Sequence, residues 1–548
     1  MTGLPPAGTV LPPEPPRPSA WAGWLRAALV PALIAAICLH SLSGPGYVVQ
    51  VDAVFGPHSP AVTWGFSAPI QLATRLLGGF SAGRFWLAGS LYLCTFGPMV
   101  LLRRRPWPVQ LFAGVLASLN PWVFGRLVEG QWGVAAALGA LFLWLGSWES
   151  LLRHPGWRHA LASAALAWLA VTLDQHAIGP LLVLALVSFL WHRTWPGGAC
   201  LRWAAASFGA LAVLLIYGWL PFFLGHGIAT YQAVTMFTRS DLLLFRASPS
   251  QTYGLWTNLI GLFGFWPERL GRIPLLDQGA PWWPLTTAVL VAAALAGAWL
   301  RRGRAWLLVT GLLGLALAGS TATGPGLAAM LWVMDRVPLL GAFREPEKWS
   351  ALWVLALVVL GAETLAFLLA KVSAARPLAS GLAGVALASI ALAVLLPNGL
   401  GAVRELPATI VPVRYPASWL RLAAEMGHEV ASGAKVVVLP WELYEPLSFT
   451  EHRLAGNPAP VLFPGVLVTP KDAQIGRSSS QPGPDGIAKA SLAPGPASCS
   501  LFASITRIGA DWIVVEPAPH GAADLRELLR CGATRAAGHL PGPVLLRR

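Results

Sequence analysis

Charged residues are scarce in this sequence. Asp, Glu, Lys and Arg together make up 11% of its 548 residues, whereas ordinary soluble domains carry roughly 25%. Apolar residues fill the difference, at 55% of the chain, and the mean hydropathy is +0.60. This composition excludes an ordinary soluble globular protein and directs attention to the membrane.

Cysteine is also rare, and familiar catalytic motifs are absent. The chain has five cysteines and no CxxC, HExxH, Walker A or GxSxG pattern, so none of these motifs points to another chemistry. Cys38, Cys94 and Cys200 fall in or beside apolar segments and are interpreted as packing residues. Cys499 and Cys531 both lie near the C-terminus, where an oxidising exterior permits a disulfide that two cysteines alone do not prove.

Long apolar runs, in contrast, are abundant. A transmembrane helix needs about 20 predominantly apolar residues, and we assign spans to 22–42, 84–102, 107–124, 133–151, 159–173, 177–194, 203–224, 285–300, 305–320, 349–370 and 377–396. The sequence therefore predicts a polytopic α-helical membrane protein with about 11 transmembrane helices. Its predicted parts are a disordered Pro-rich cytoplasmic tail (1–20), a transmembrane domain (21–397) and a small extracytoplasmic α/β domain (398–548).

The positive charge is explained by membrane topology. The net charge of +14 and a pI near 10.3 would indicate a nucleic-acid partner in a soluble protein. Here the basic residues are concentrated in alternate loops. The loops on one side of the membrane carry fourteen basic residues and only two acids, Glu14 and Glu149. Positively charged short loops stay cytoplasmic, so we predict a plasma-membrane protein with a cytoplasmic N-terminus, an extracytoplasmic C-terminal domain and no nucleic-acid partner. The fourteen basic residues on the predicted inner side are Arg17, Arg26, Arg103, Arg104, Arg105, Arg153, Arg158, Arg193, Arg202, Arg301, Arg302, Arg304, Lys371 and Arg376.

The C-terminal domain has strand and helix signals. "AKVVVLPWELY" and "GADWIVVEPAP" are typical of short buried strands, and "AADLRELLRCG" predicts an amphipathic helix capped by Gly532. Between them, "GRSSSQPGPDGIAKASLAPGPAS" is interpreted as a mobile loop.

The first outer loop contains one acid. Asp52 lies in "SGPGYVVQVDAVFGPHSP", and the following "WGFSAPIQLATRLLGGF" has the spacing of an interfacial amphipathic helix. Asp52 is either a solvated loop residue or a general base held near the membrane surface, where it can take a proton from a sugar hydroxyl.

A second outer stretch is "LNPWVFGRLVEGQWG". Asn120-Pro121 can break the third span, which would place Arg126, Glu129 and Gln131 in a short turn or half-helix, with Gly125 and Gly130 permitting a tight return. The alternatives are an i,i+3 ion pair between Arg126 and Glu129 and interface anchoring by Trp122 and Trp132.

Two further polar stretches face the same predicted side. Asp174 and His176 in "VTLDQHAIGP" either contact one ligand or supply the polarity that any turn between membrane helices needs. In "GAFREPEKWSALW", Pro346, Glu345 and Glu347 suit the start of a helix. Arg344 does not, because a cation is disfavoured there, so we predict that it pairs with a carboxylate or a phosphate. Lys348 belongs to the same turn.

These stretches resemble the GT-C class of membrane glycosyltransferases, in particular actinobacterial members similar to the membrane part of arabinofuranosyltransferase D, and more distantly YfhO-type proteins. The likeness covers roughly 20–400 by topology and the quoted stretches by residue. It implies transfer of a sugar, arabinofuranose, mannose or similar, from a polyprenyl-phosphate carrier to a glycan, lipid or protein acceptor outside the membrane.

The resemblance also implies roles for individual residues. Asp52 matches the position of the catalytic acid, and the implied substrate-binding residues are Arg126, Glu129, Gln131, Asp174, His176, Arg344, Glu345 and Lys348. Many relatives carry two neighbouring acids where this sequence has Val51-Asp52-Ala53, so use of a divalent cation stays open and no other cofactor is expected.

Two other classes of protein compete with a glycosyltransferase. A secondary transporter predicts inverted repeats and several ionisable residues near the centres of spans. In this sequence Glu363 is the only acid found well inside a predicted span. A non-catalytic envelope-assembly protein predicts outer polar residues that do not converge.

Overall fold

A computed structural model describes residues 20–58, 68–191, 197–224, 239–375, 398–430, 433–464, 466–468, 474–475, 478–479, 499–517, 521–538 and 542–548. Helices dominate up to residue 409, and a mixed sheet with flanking helices follows. The predicted tail at 1–19 and the predicted span at 377–396 lie outside the described residues.

Most helices of the membrane part overlap the predicted spans; the exceptions are Arg239–Leu244, Gly254–Ile260 and Gly324–Arg336. The helices are α1 (Ala20–Cys38), α2 (Ala68–Leu101), α3 (Trp107–Ser118), α4 (Pro121–Glu129), α5 (Trp132–Arg153), α6 (Trp157–Leu173), α7 (Ile178–Trp191), α8 (Gly197–Leu214), α9 (Ile216–Phe223), α10 (Arg239–Leu244), α11 (Gly254–Ile260), α12 (Trp283–Leu300), α13 (Trp306–Gly319), α14 (Gly324–Arg336) and α15 (Ser350–Ala375). Residues 398–409 form a further helix.

Four described segments are long and apolar enough to cross a membrane, or six if each bent pair forms one span. The four are Trp132–Arg153, Trp283–Leu300, Arg302–Ala322 and Pro346–Val372; the bent pairs are Trp107–Ser118 with Pro121–Glu129 and Gly198–Leu214 with Ile216–Phe223. These segments make the chain a polytopic membrane protein, and the count of eleven spans stays a prediction.

The helices pack in two groups. In the first, α2 packs on α1, α3 and α5, and α5 packs on α6; in the second, α12 and α13 both pack on α15. Gly97 of α2 and Gly139 of α5 allow the two helix backbones to approach closely, because a Cβ on Gly97 would overlap the carbonyl of Gly139. The α3 helix contacts α15 and so joins the groups.

Helix α2 confirms that part of the predicted amphipathic segment is helical, while its interfacial position stays a prediction. Residues before Gly78 are helical, and Gly78 breaks the helix with φ 71° and ψ 152°. The segment from Ala68 to the break is therefore separate from the apolar part of α2, as its amphipathic spacing predicts; the start of the predicted helix, up to residue 67, lies outside the described residues.

The C-terminal domain is a mixed sheet covered on both faces. Its helices are α16 (Ala417–Glu429), α17 (Ala459–Leu462), α18 (Ser500–Ile508) and α19 (Gly521–Arg530), and its strands are β1 (Lys435–Leu439), β2 (Tyr444–Pro446), β3 (Leu454–Gly456), β4 (Val466–Val468), β5 (Gln474–Ile475), β6 (Ser478–Ser479), β7 (Trp512–Val515), β8 (Thr534–Gly538) and β9 (Val544–Arg547). Strand order in the sheet is β4-β1-β7-β9-β8, with β1 parallel to β4 and β7, and β9 antiparallel to β7 and β8.

Side chains alternate between the two faces along β1, and both faces of the sheet are covered. Val436 and Val438 of β1 pack in the core that holds α16, whereas Val437 and Leu439 pack in the core that holds α18 and α19. The two predicted buried strands and the predicted helix before Gly532 are confirmed. Cys499 and Cys531 form a disulfide. Most of the predicted loop at 476–498 lies outside the described residues, although Ser478–Ser479 forms the short strand β6 rather than loop.

Candidate functional site

The loop after α1 is held against the end of α4. The backbone N–H of Asp52 donates to the carbonyl of Glu129 at 2.9 Å, and the N–H of Gln50 donates to the carbonyl of Ala53 at 2.8 Å. Gly130 ends α4 with φ 90°, and a Cβ on it would lie 2.8 Å from the backbone nitrogen of Ala53. Glycine at 130 thus permits the tight return that the sequence predicts and also the close approach of the Asp52 loop.

The carboxylate of Asp52 is held on both oxygens. Tyr444 donates its hydroxyl to Oδ1 at 2.8 Å, and Gln131 donates from Nε2 to Oδ2 at 3.0 Å. The side chain is exposed to a cavity of about 210 Å³, which His58, Gln71 and Thr74 also line. Asp52 is therefore accessible, and its carboxylate is also held in one orientation. A merely solvated loop residue would be accessible but not held.

The environment of Asp52 favours its protonated form more than water does. The surrounding protein shields the carboxylate from bulk water, and the negative charge of Glu345 adds to this, so the pKa of Asp52 is raised above the usual value of 3.8. The hydrogen bonds from Tyr444 and Gln131 and the charge of Lys348 oppose the shift in part. A carboxylate with a raised pKa is a stronger base once it is ionised.

Gln131 joins Asp52 to the rest of the cluster. Its Oε1 accepts a hydrogen bond from Nη1 of Arg126, and its Nε2 donates to Glu345 at 3.2 Å as well as to Asp52. One amide therefore links a cation to two carboxylates, and its orientation is fixed by the partner on each side.

Arg126 is fully buried at the centre of this network. Its Nη1 lies 3.5 Å from Glu345, its Nη2 donates to Glu347 at 3.3 Å, and its guanidinium lies over the ring of Phe265 at 3.7 Å. The alternative of a pair with Glu129 is wrong, because the ion pair of Glu129 is with Arg272. A buried guanidinium needs such paired carboxylates, since its desolvation would otherwise be costly.

The break that creates α4 follows from Asn120-Pro121. The Asn120 side chain accepts from the backbone N–H of Val123 at 3.1 Å and caps the helix, with Pro121 at its first position. The bend between α3 and α4 is 46°, which confirms the predicted break. The suggested role of Gly125 in a turn is wrong: it lies inside α4 and packs against Phe265.

The two tryptophans of this stretch are buried rather than placed as interface anchors. Trp122 and Trp132 are 3% and 4% exposed. Trp122 donates from Nε1 to the carbonyl of Glu347 at 3.0 Å, which ties α4 to the turn before α15.

Asp174 and His176 also contact that turn. Nδ1 of His176 lies 2.8 Å from Asp174 and 3.3 Å from Nζ of Lys348, while Nε2 bonds the carbonyl of Ala342 at 2.9 Å. Although burial acts to raise it, the pKa of Asp174 is well below its usual range, because the interactions with His176 outweigh burial. The pair links the α6–α7 turn to the turn before α15, which supports a shared site over a simple polar turn.

The turn before α15 forms a 3-10 helix at Pro346–Trp349, and its charges are used in ion pairs rather than in capping. The Glu345 side chain makes no cap hydrogen bond and instead lies 3.5 Å from Lys348. Burial acts to raise its pKa, but the charges of Lys348, Arg344 and Arg126 outweigh burial and lower it to about 2. The predicted placement of Glu345, Pro346 and Glu347 at the start of a helix is confirmed, and the Glu345 side chain forms ion pairs instead of a cap hydrogen bond.

Arg344 is placed beside an aromatic ring and a neighbouring carboxylate. Its guanidinium is over the ring of Phe245 at 5.2 Å, and its charge acts on Glu345. The described residues that line the Asp52 cavity do not include it, so its predicted contact with a phosphate stays a prediction.

Comparison with solved structures identifies the architecture. The mycobacterial arabinofuranosyltransferase AftD superimposes on 97% of this chain with a TM-score of 0.63 at 16% identity, and a mutant of it in a second class gives 0.59, also at 16% and over 97%. The chain has a GT-C-like fold. It spans 40% and 42% of those two chains.

A third similarity is weaker. ArnT from Cupriavidus metallidurans in the apo state aligns over 96% of this chain and 98% of its own, at 15% identity and a TM-score of 0.47, which is too low to carry an inference. No protein-family model matches the sequence, and neither does any curated protein.

In this GT-C-like fold, sequence inspection missed two residues that contact the cluster. Tyr444 bonds Asp52 from a position 392 residues away, and Arg272 pairs with Glu129 from the loop before α12. A single tyrosine in a short strand carries no local signal. Arg272 had one, since the positive-inside rule does not explain basic residues that gather beside acids on the predicted outer side.

The described part of the chain contains no group of three or more His, Cys, Asp or Glu side chains arranged to hold a metal ion. Asp52, the candidate ligand in the first outer loop, has Tyr444 and Gln131 as its partners.

Proposed function

We propose that this protein is a glycosyltransferase that moves a sugar from a polyprenyl-phosphate carrier to an acceptor of the cell envelope, on the side of the membrane where Asp52 lies. The GT-C-like fold supports the general reaction. The observation that carries the proposal is the Asp52 carboxylate, held by Tyr444 and Gln131 and exposed to a cavity.

Asp52 is the general base in this proposal. An acceptor hydroxyl attacks the anomeric carbon, a new C–O bond forms, and the bond from that carbon to the phosphate oxygen breaks. Polyprenyl phosphate leaves with the electron pair, and the hydroxyl proton passes to Asp52. Positioned proton transfer of this kind typically contributes about 10²–10⁴-fold in rate.

The cations near the turn before α15 are proposed to hold the departing phosphate. Arg344 can supply a planar fork with two hydrogen bonds, and Lys348 lies near enough to act on Asp52 electrostatically. Asp174, His176 and Glu345 orient Lys348, while Arg126, Glu129 and Gln131 hold the Asp52 loop.

The sugar and the acceptor are proposed more broadly. The superimposed mycobacterial structure is of an arabinofuranosyltransferase, so a polyprenyl-phosphate arabinofuranose is the first donor to test, followed by mannose and similar sugars. A cell-envelope glycan is the first acceptor, with lipid and protein acceptors next.

The test is a transfer assay on the purified protein in nanodiscs. Asp52→Asn keeps the side-chain shape but removes the base, so transfer should fall by about 10²–10⁴-fold while donor binding changes little. Asp335→Asn makes the same change at an exposed position on α14 and should transfer at the wild-type rate. Wild-type turnover by Asp52→Asn would refute the assignment.

A further inference from the structure

A second cluster of charge lies at the opposite end of α5 from the Asp52 site. Helix α5 starts after Gln131 and ends at Arg153, and its 22 residues span about 33 Å at 1.5 Å per residue. At that far end a cavity of about 520 Å³ is lined by arginines and two glutamates. We call it the basic cavity; its charged lining residues are Arg105, Glu149, Arg153, Arg301, Arg304 and Glu363.

Glu363 is the acid that the sequence places inside a span, and three arginines surround it. Arg105 donates to both of its oxygens at 2.9 and 2.6 Å, Arg301 donates from Nε at 3.2 Å, and Arg304 donates from Nη1 at 2.9 Å. Glu363 is 1% exposed. A carboxylate this buried persists because it is paired and hydrogen-bonded.

Glu149 is a second carboxylate that accepts hydrogen bonds from Arg304. Arg304 donates to it from Nε at 3.0 Å and from Nη2 at 2.7 Å, and Arg153 donates at 3.0 Å. Arg304 therefore bridges two carboxylates that belong to α5 and α15. The guanidinium of Arg304 is therefore fixed in place before any ligand arrives.

Positive charge exceeds what the glutamates neutralise. Arg103 and Arg104 line an adjoining cavity of about 540 Å³ that shares Arg105, Glu149, Arg153 and Arg304, so six arginines face two carboxylates. Arg301 uses Nε for Glu363, and among the described residues no hydrogen-bond acceptor engages its two Nη groups. The lining thus offers ordered donors to one more anion.

Membrane topology alone does not account for this arrangement. The positive-inside rule places arginines in loops, but it does not need carboxylates buried among them or a cavity on which they converge. We propose that the basic cavity binds a phosphate group, either of an anionic phospholipid headgroup or of a free phosphate. Planar guanidinium forks match phosphate oxygens with paired hydrogen bonds, and a loop at a membrane face lies at headgroup depth. This inference is independent of the proposed transferase activity.

The test compares two neighbouring arginines in the full-length protein, purified in detergent and stripped of lipid. Arg301 lines the cavity, whereas Arg302 is exposed and is not among the cavity's lining residues. Native mass spectrometry measures binding of phosphatidylglycerol, and calorimetric titration measures binding of inorganic phosphate. Arg301→Gln should weaken binding about tenfold, the loss of one charge-assisted bond, and Arg302→Gln should leave it within about twofold.

The two probes distinguish the source of the phosphate. If Arg301→Gln weakens the binding of phosphatidylglycerol but not of inorganic phosphate, the cavity binds a lipid headgroup. If it weakens the binding of inorganic phosphate, the cavity binds a free anion. Equal binding by both variants would overturn the proposal. Glu363 keeps Arg105 and Arg304 in Arg301→Gln, so the fold should survive; if it does not, Arg153→Gln replaces it, because the Arg153 side chain is 64% exposed and pairs with Glu149 alone among described acids.

Discussion

At the scale of single residues, the candidate base is controlled by a hydrogen bond from another part of the chain. The pKa of Asp52 is raised by shielding from water and by Glu345, and the Tyr444 hydroxyl lowers it in part. The base works as the carboxylate, so activity should fall as pH decreases through this raised pKa. The acid limb of the pH profile therefore lies above that of an ordinary aspartate.

Tyr444→Phe tests this control. Loss of the hydroxyl removes a stabilising bond to the carboxylate, so the pKa of Asp52 should rise further and the acid limb should move to higher pH. The measurement is transfer rate against pH. Tyr415→Phe is the matched control, because its hydroxyl donates to the carbonyl of Phe55 at 2.7 Å rather than to Asp52; an equal shift in both variants would contradict the argument.

The sequence predicts the residues near Asp52 better than their partners. Asp52 stands out as a single acid in an outer loop, and Arg126, Gln131 and Glu345 stand out as charges or amides beside span ends. Their pairing is not readable, because Arg126 could be matched with Glu129 by helical spacing until the fold brings Glu345 and Glu347 to it.

At the scale of elements, the site depends on how α4 ends. Pro121 and the Asn120 cap begin this helix and Gly130 ends it, signals that sequence rules recognise. The close approach of the Asp52 loop to Gly130 is tertiary packing between distant segments, and local rules do not reach it. Glu345 lies at the start of its helix as predicted, but its ion pair with Arg126 of α4 also depends on tertiary packing.

Gly130→Ala tests the element. A residue other than glycine at φ 90° costs about 1–2 kcal/mol, and the new Cβ would also press on the backbone of Asp52 and Ala53. A shift of the loop by about 1 Å can lower the rate about 100-fold. Gly509→Ala is the control: it has φ 71° and open space around a Cβ, so thermal unfolding should show the loss from backbone strain, about 1–2 kcal/mol, and activity should be kept. Equal activity of the two variants would contradict the packing argument.

At the scale of the whole molecule, the C-terminal domain completes the candidate site. Tyr47 and Val413 exchange backbone hydrogen bonds at 2.8 Å, and the N–H of Gly456 donates to the carbonyl of Gln50 at 3.1 Å. The loop that carries Asp52 is therefore held by backbone hydrogen bonds to α4 on one side and to this domain on the other. The two buried strands β1 and β7 were predictable from their apolar runs, whereas the docking surface of the domain involves pairs several hundred residues apart and was not.

The orientation of the molecule in the membrane is the last prediction. Fourteen basic residues against two acids on one set of loops predict that Arg302 faces the cytoplasm, and the docking of the C-terminal domain on the Asp52 loop puts Glu425 of α16 on the opposite side. Cysteine labelling suits this protein, because Cys38, Cys94 and Cys200 are buried and Cys499 and Cys531 are joined. Arg302 and Glu425 are both exposed. A membrane-impermeant maleimide should label Glu425→Cys in intact cells. It should label Arg302→Cys only after the cells are permeabilised. Labelling of both in intact cells would contradict the predicted position of Arg302. The reverse pattern would contradict the predicted topology as a whole and would place the Asp52 site on the cytoplasmic face.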